Sequence, residues 1–152
     1  MNPPATVSIE AGLLVIGYGN TLRGDDGVGP RVAEAIEKLN LPGVRTLVCQ
    51  QLSPEYADPV SRAHTVVFVD AAVDAPREVQ LRKLEPGESS QLMAHAADPR
   101  TLLALARDVF GHAPQAWWLT IPAMKLDFSE SLTPEAQRGF AEAVKKIQEL
   151  CR

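Results

Sequence analysis

An unbroken apolar run, Leu13-Leu14-Val15-Ile16, passes directly into the glycine-crowded stretch GYGNTLRGDDGVGP at residues 17–30. A strand buried on both faces has this pattern, and such strands belong to parallel sheets covered by helices on each side. Beyond the glycines, Pro30 fits a first helical turn, and Val32, Ile36 and Leu39 recur at helical spacing until Pro42-Gly43. Strand, tight loop and helix in that order commit the chain to an α/β arrangement.

The remaining segments continue the alternation. Val44 to Cys49 predicts a second strand, Pro54 to Arg62 a short helix, and Thr65 to Val69 a third strand that ends in Asp70. Val79 to Leu84 alternates apolar with polar, as a strand with one wet face at a sheet edge does. Asp98-Pro99 opens a helix striped by Leu102, Leu103, Ala106 and Phe110, with Gly111 placed to cap its end. Ala116 to Ile121 predicts another strand, and Thr133-Pro134-Glu135 opens the last helix with Thr133 as N-cap. The expected fold is a three-layer α/β sandwich: a mostly parallel twisted sheet of about five strands, helices on both faces, and one domain over residues 1–152.

A net charge of −4 with no clustered basic residues argues against a nucleic-acid partner, which needs a positive patch for phosphates. No apolar run is long enough to predict membrane insertion or a signal peptide, so a cytoplasmic location is expected. Cys49 and Cys151 show no metal-type pairing and are expected to be reduced thiols without catalytic duty.

Gly19 and Gly24 have the spacing of a phosphate-binding loop, yet Asp25 and Asp26 stand where lysine and a hydroxyl residue would follow. Two carboxylates repel phosphate, and the dinucleotide pattern fails too, with Leu22 in place of its third glycine. What remains is a tight turn, built on Gly19, Asn20 and Gly27, that brings carboxylates to a helix N-terminus. There they suit a cation or a water nucleophile. One of the two acids is enough to cap the helix, which leaves the other for a functional role.

Ligands in open parallel sheets sit beyond the carboxyl ends of the strands. Two of those ends carry acids here, Asp26 after the first strand and Asp70 at the end of the third, and they share one crevice if the strands are neighbours. Each has a plainer reading as a capping or strand-terminating residue. His95, in LMAHAADPRTLL, is a further candidate, although a lone loop histidine is more often incidental. Two aspartates and one histidine form an oxygen-rich set suited to zinc, nickel or a similar divalent ion.

The run VIGYGNTLRGDDGVGPRVAEAI resembles the opening signature of the hydrogenase maturation proteases. The resemblance continues through CQQLSPEYADPV, VFVDAAVD, HAADPRTLLALARDVFG and WLTIPAMKLDFSESLTPEA, in the same order and over nearly the whole chain. It implies an endopeptidase that removes the C-terminal extension from the nickel-loaded precursor of a nickel-iron hydrogenase large subunit. It also implies that Asp26, Asp70 and His95 surround the precursor's nickel, with Asp26 and Asp70 as the catalytic pair. Gly19, Asn20, Asp25 and Gly27 would shape the loop that positions them. Attack by a metal-activated water and general-base action by a carboxylate both remain open. Two rival readings also stand: a non-catalytic, flavodoxin-like module that binds a metal or ligand, and a small-molecule metallohydrolase.

Overall fold

The computed structural model describes residues 9–73, 77–87 and 98–151. Five strands, β1 (Ala11–Tyr18), β2 (Val44–Cys49), β3 (Ala63–Ala72), β4 (Gln80–Leu84) and β5 (Gln115–Pro122), form one sheet in the order β2-β1-β3-β5-β4. All neighbouring pairs are parallel except β4 with β5, so the expected mostly parallel sheet is present and the alternating segment forms its antiparallel edge.

Helices cover both faces. α1 (Val28–Lys38) and α4 (Pro134–Leu150) pack on one, where Val15, Val67, Leu119 and Ile121 meet Val32, Ile36, Ala143 and Ile147. The second face carries α2 (Ala57–Ser61) and α3 (Pro99–Phe110), with Leu14, Ile16, Val66 and Phe68 against Val60, Leu102, Leu103 and Ala106. From Leu13 in β1, Thr65 in β3 and Ala116 in β5 onward, odd-numbered residues therefore face α1 and α4, and even-numbered ones face α2 and α3.

The short helix expected over 54–62 is instead a 3-10 turn, Pro54–Tyr56, followed by the five-residue α2. Pro59 lies inside that segment and has no N–H to continue a longer ladder. Local caps fall where expected. The Asp98 side chain accepts from Arg100 N, the Thr133 side chain accepts from Ala136 N, and Gly111 closes α3 in the left-handed region at φ 83°. Of the two tryptophans of the AWWLTI strand, Trp117 packs toward α1 and α4 and Trp118 toward α2 and α3, both partly buried in the sheet.

The chain winds outward from β1 to β2, then crosses back over β1 to β3. The reversal leaves a crevice at the carboxyl ends of β1 and β3, where ligands of open α/β sheets bind. α1 approaches that crevice closely because both sides of the contact are glycine. A Cβ on Gly17 would lie 2.1 Å from Gly29 O, and one on Gly29 would lie 2.5 Å from Val69 O.

Candidate active site at the carboxyl ends of β1 and β3

The loop after β1 turns back on itself before entering α1. Gly19 has φ 145°, and a Cβ there would stand 2.0 Å from the Asp26 carbonyl oxygen, so only glycine lets the two backbone segments touch. Residues Gly24–Gly27 form a 3-10 turn that runs directly into α1. We expect Gly19→Ala to displace Asp26 and to lower stability by about 2–4 kcal/mol in urea denaturation, as overpacking against fixed backbone does.

Neither aspartate caps α1, which corrects one expectation. The N-cap position is Gly27, and no side chain bonds the helix end there. Asp26, half-buried, accepts the Asn20 backbone N–H on Oδ2 at 2.8 Å, so it braces the loop from within. The Asn20 side chain braces the same loop by accepting Leu22 N–H at 2.9 Å.

Asp25 does something the local sequence gives no sign of. It has no solvent exposure, and its Oδ2 accepts Met124 N at 2.7 Å, Lys125 N at 3.2 Å and Thr133 Oγ1 at 2.7 Å, while Oδ1 accepts Thr133 N at 2.8 Å. Burial pushes its carboxyl up, but the donors of Thr133, Met124 and Lys125 outweigh that and hold it below the usual carboxylate range. The loop after β5 is thereby locked onto the loop after β1. Backbone bonds extend the lock, from Gly24 N to Ser129 O at 2.8 Å and from Ser129 N to Leu22 O at 2.9 Å.

Asp70 lies within β3 and faces α2 and α3, two residues beyond Phe68 on the same side. Burial pushes its pKa up to about 6; the Tyr18 hydroxyl pulls it down, the Asp26 charge pushes it up, and the Ala71 N–H and Trp118 indole pull it down. Asp26 and Asp70 are thus brought close enough to interact as charges at the strand reversal. His95 lies outside the described residues. Among the described residues, no group of three His, Cys, Asp or Glu side chains is arranged to hold a metal ion. Asp26 and Asp70 supply carboxylate oxygens that suit one side of a divalent ion's shell.

The other histidines stand apart from this pair. His112 Nε2 lies 3.2 Å from Ala63 O at the opposite end of β3, and His64 is exposed. Two cavities, of about 370 and 390 Å³, also lie elsewhere. One is lined by Leu14, Ile36, Val44 and Leu47 against β2, the other by Gly12, Thr65 and Gln115 at the amino ends of the strands.

A doubly wound α/β sandwich with two interacting carboxylates at the β1/β3 reversal is the class of protein this geometry defines. Solved structures share that fold along nearly their whole length. The hydrogenase maturating endopeptidase HybD from E. coli superposes with a TM-score of 0.72 at 22% identity, covering 91% of this chain and 90% of that one. The [NiFe] hydrogenase maturation protease HycI from Thermococcus kodakarensis gives 0.71 at 22% identity, with 91% of each chain covered. HybD from the same organism gives 0.69 at 22% identity, covering 92% of this chain and 99% of that one. No protein-family model and no curated protein matches the chain.

Sequence reasoning named Asp26 and Asp70 but not Tyr18 and Trp118 beside Asp70, nor that Thr133, expected as an N-cap, also bonds Asp25. Tyr18 and Trp118 carried a signal that only the strand register makes usable: each lies an even number of residues from the apolar positions that face α2 and α3.

Proposed function

We propose that this chain is an endopeptidase of hydrogenase maturation, removing the C-terminal extension of a nickel-loaded large-subunit precursor. The observation that carries the reading is the Asp26–Asp70 pair, held by a rigid glycine loop and a central strand at the sheet's reversal point. The shared fold with endopeptidases of that name, and the ordered motif resemblance along the sequence, support it. The partner would be the precursor itself. Its nickel would be part of the substrate, recognised when Asp26, Asp70 and His95 complete its shell.

Asp70, with a pKa of about 6, is matched to general-base work near neutral pH. Ionised, it takes a proton from the water that attacks the scissile carbonyl; protonated, it returns that proton to the leaving amine. Asp26 stands beside it, raises the affinity of Asp70 for a proton during attack, and presents a carboxylate to the precursor's metal. No helix among the described residues is long and apolar enough to cross a membrane, and the proposed place of action is the cytoplasm.

The test is the mass of a nickel-loaded precursor, from the same source, after incubation with the unmodified chain or with Asp26→Asn. The unmodified chain is expected to release one C-terminal peptide, and the variant to be slowed at least a hundredfold, about 2.7 kcal/mol of barrier. An uncut precursor that nevertheless binds the chain would make this a binding module. Cleavage regardless of nickel would make it a general hydrolase.

A further inference from the structure

Five strands each place one polar side chain in a single row across the carboxyl edge of the α2/α3 face. Tyr18 pairs with Cys49, Asp70 pairs with Thr120, and Thr120 pairs with Gln80. The Gly17↔Val69 pairing brings Tyr18 level with Asp70 one residue later. Beneath this row lies an apolar layer of Leu47, Ile16, Phe68 and Trp118. Asp70 therefore sits at the centre of the row, with Tyr18 on one neighbouring strand and Trp118 and Thr120 on the other.

All three of these neighbours carry a buried polar atom with no formed hydrogen bond: the Tyr18 hydroxyl, Trp118 Nε1 and Thr120 Oγ1. Buried polar groups are rarely left in that condition, because an unmet donor is costly. Of the three, the Tyr18 hydroxyl and the Trp118 indole act on the Asp70 carboxyl, and the indole N–H also acts on the Tyr18 oxygen. The indole is braced from its far side by Arg82, whose guanidinium carbon lies 6.0 Å from the ring centroid.

We propose that Tyr18 and Trp118 are positioning residues for Asp70, their O–H and N–H standing long toward its carboxylate in the free chain and shortening onto it when the site engages its substrate. Hydrogen bonds of an active site commonly stand long in the free protein and tighten on engagement. Donors fixed on the flanking strands hold the carboxylate plane, while the oxygen lone pairs they do not use remain for the space shared with Asp26. Partners of this kind orient a ligating or basic carboxylate without touching the reacting atoms.

The proposal rests on Asp70 belonging to the site, and its first test needs neither client nor activity. The chain has two tryptophans, so its ¹H–¹⁵N spectrum shows two indole N–H resonances, and Trp118→Phe identifies which is which. In Asp70→Ala the Trp118 indole resonance is expected to move upfield and exchange faster with water, while Thr120→Val, altering the same row without removing the carboxylate, leaves it in place. An unmoved Trp118 resonance in Asp70→Ala, or an equal shift in Thr120→Val, overturns the proposal.

The second test uses Tyr18→Phe and Trp118→Phe with nickel ion alone, titrated calorimetrically, and with the loaded precursor. Each variant is expected to bind nickel roughly 10–100-fold more weakly, or to lose a similar factor in kcat with KM unchanged, at a melting temperature no lower than that of the unmodified chain. Unchanged affinity and unchanged kcat in both variants would overturn it. Absent cleavage by the unmodified chain, with the Trp118 resonance still tied to Asp70, would refute the protease reading and leave the positioning intact.

Discussion

Replacing Asp25 by alanine is expected to lower the stability of the fold by about 3–5 kcal/mol at neutral pH, because four donors would be left facing a space that water enters poorly. Those donors are the backbone N–H groups of Met124, Lys125 and Thr133 and the Thr133 hydroxyl. The Thr133 oxygen also accepts Ala136 N at 3.2 Å, so the start of α4 loosens with the loop. Asp25→Asn should fall between. Its amide keeps one acceptor for the three donors on Oδ2 but turns an NH₂ toward Thr133 N–H. Since the folded carboxyl is held below its unfolded value of about 3.9, the stabilisation is fully present above that value and is lost as pH falls through the folded one. Urea denaturation at pH 7 and pH 3 checks both parts. A loss under about half a kcal/mol in the alanine variant would show that the lock does not hold the fold.

Asp70→Asn is expected to act in the opposite sense on stability while abolishing cleavage. The folded pKa is raised to about 6, chiefly by burial, so between the unfolded value and 6 the folded state holds a proton that the unfolded state has released. Stability contributed by that proton is present at low pH and is lost as pH rises through the window. The unmodified chain at pH 7 therefore carries the full cost of a buried charge. An uncharged asparagine removes it, for a gain of about 2 kcal/mol once partial exposure is discounted. The gain should shrink toward zero near pH 4, and cleavage by the unmodified chain should fall below about pH 6 as Asp70 takes up its proton. Equal stability of the two chains at pH 7 would mean that the site does not strain the fold.

The parts of the fold legible in the sequence were those fixed by short-range physics. The unbroken runs of β1 and β3 announced strands buried on both faces, and Asp98, Thr133 and Gly111 announced helix ends, because a cap bonds within a few residues of itself. Asp26 and Asp70 were legible because each lies just beyond or near the carboxyl end of a strand whose type was already clear, although β3 runs two residues past Asp70. The role of Asp25 was not, since its partners lie as far as 108 positions away and nothing near it distinguishes a cap from a long-range lock. Tyr18 and Trp118 depended on the alignment of three strands, which no single segment encodes. The segment over 54–62 is helical as expected but begins as a 3-10 turn, since Pro59 has no N–H to bond back to residue 55.

The Asp25–Thr133 bond also bears on the order in which the molecule is made. Synthesis releases Asp25 while Thr133 is still 108 residues from being added. The first strand, its loop and α1 emerge early, but the carboxylate that anchors that loop has none of its partners until β5 is complete and α4 begins. The loop that carries Asp26 gains its anchor only when Met124, Lys125 and Thr133 have been added, so a nascent polypeptide that stops short of them lacks a finished site. A protein whose proposed task is an irreversible cut on another protein thus becomes competent only once β5 and the loop after it have been made.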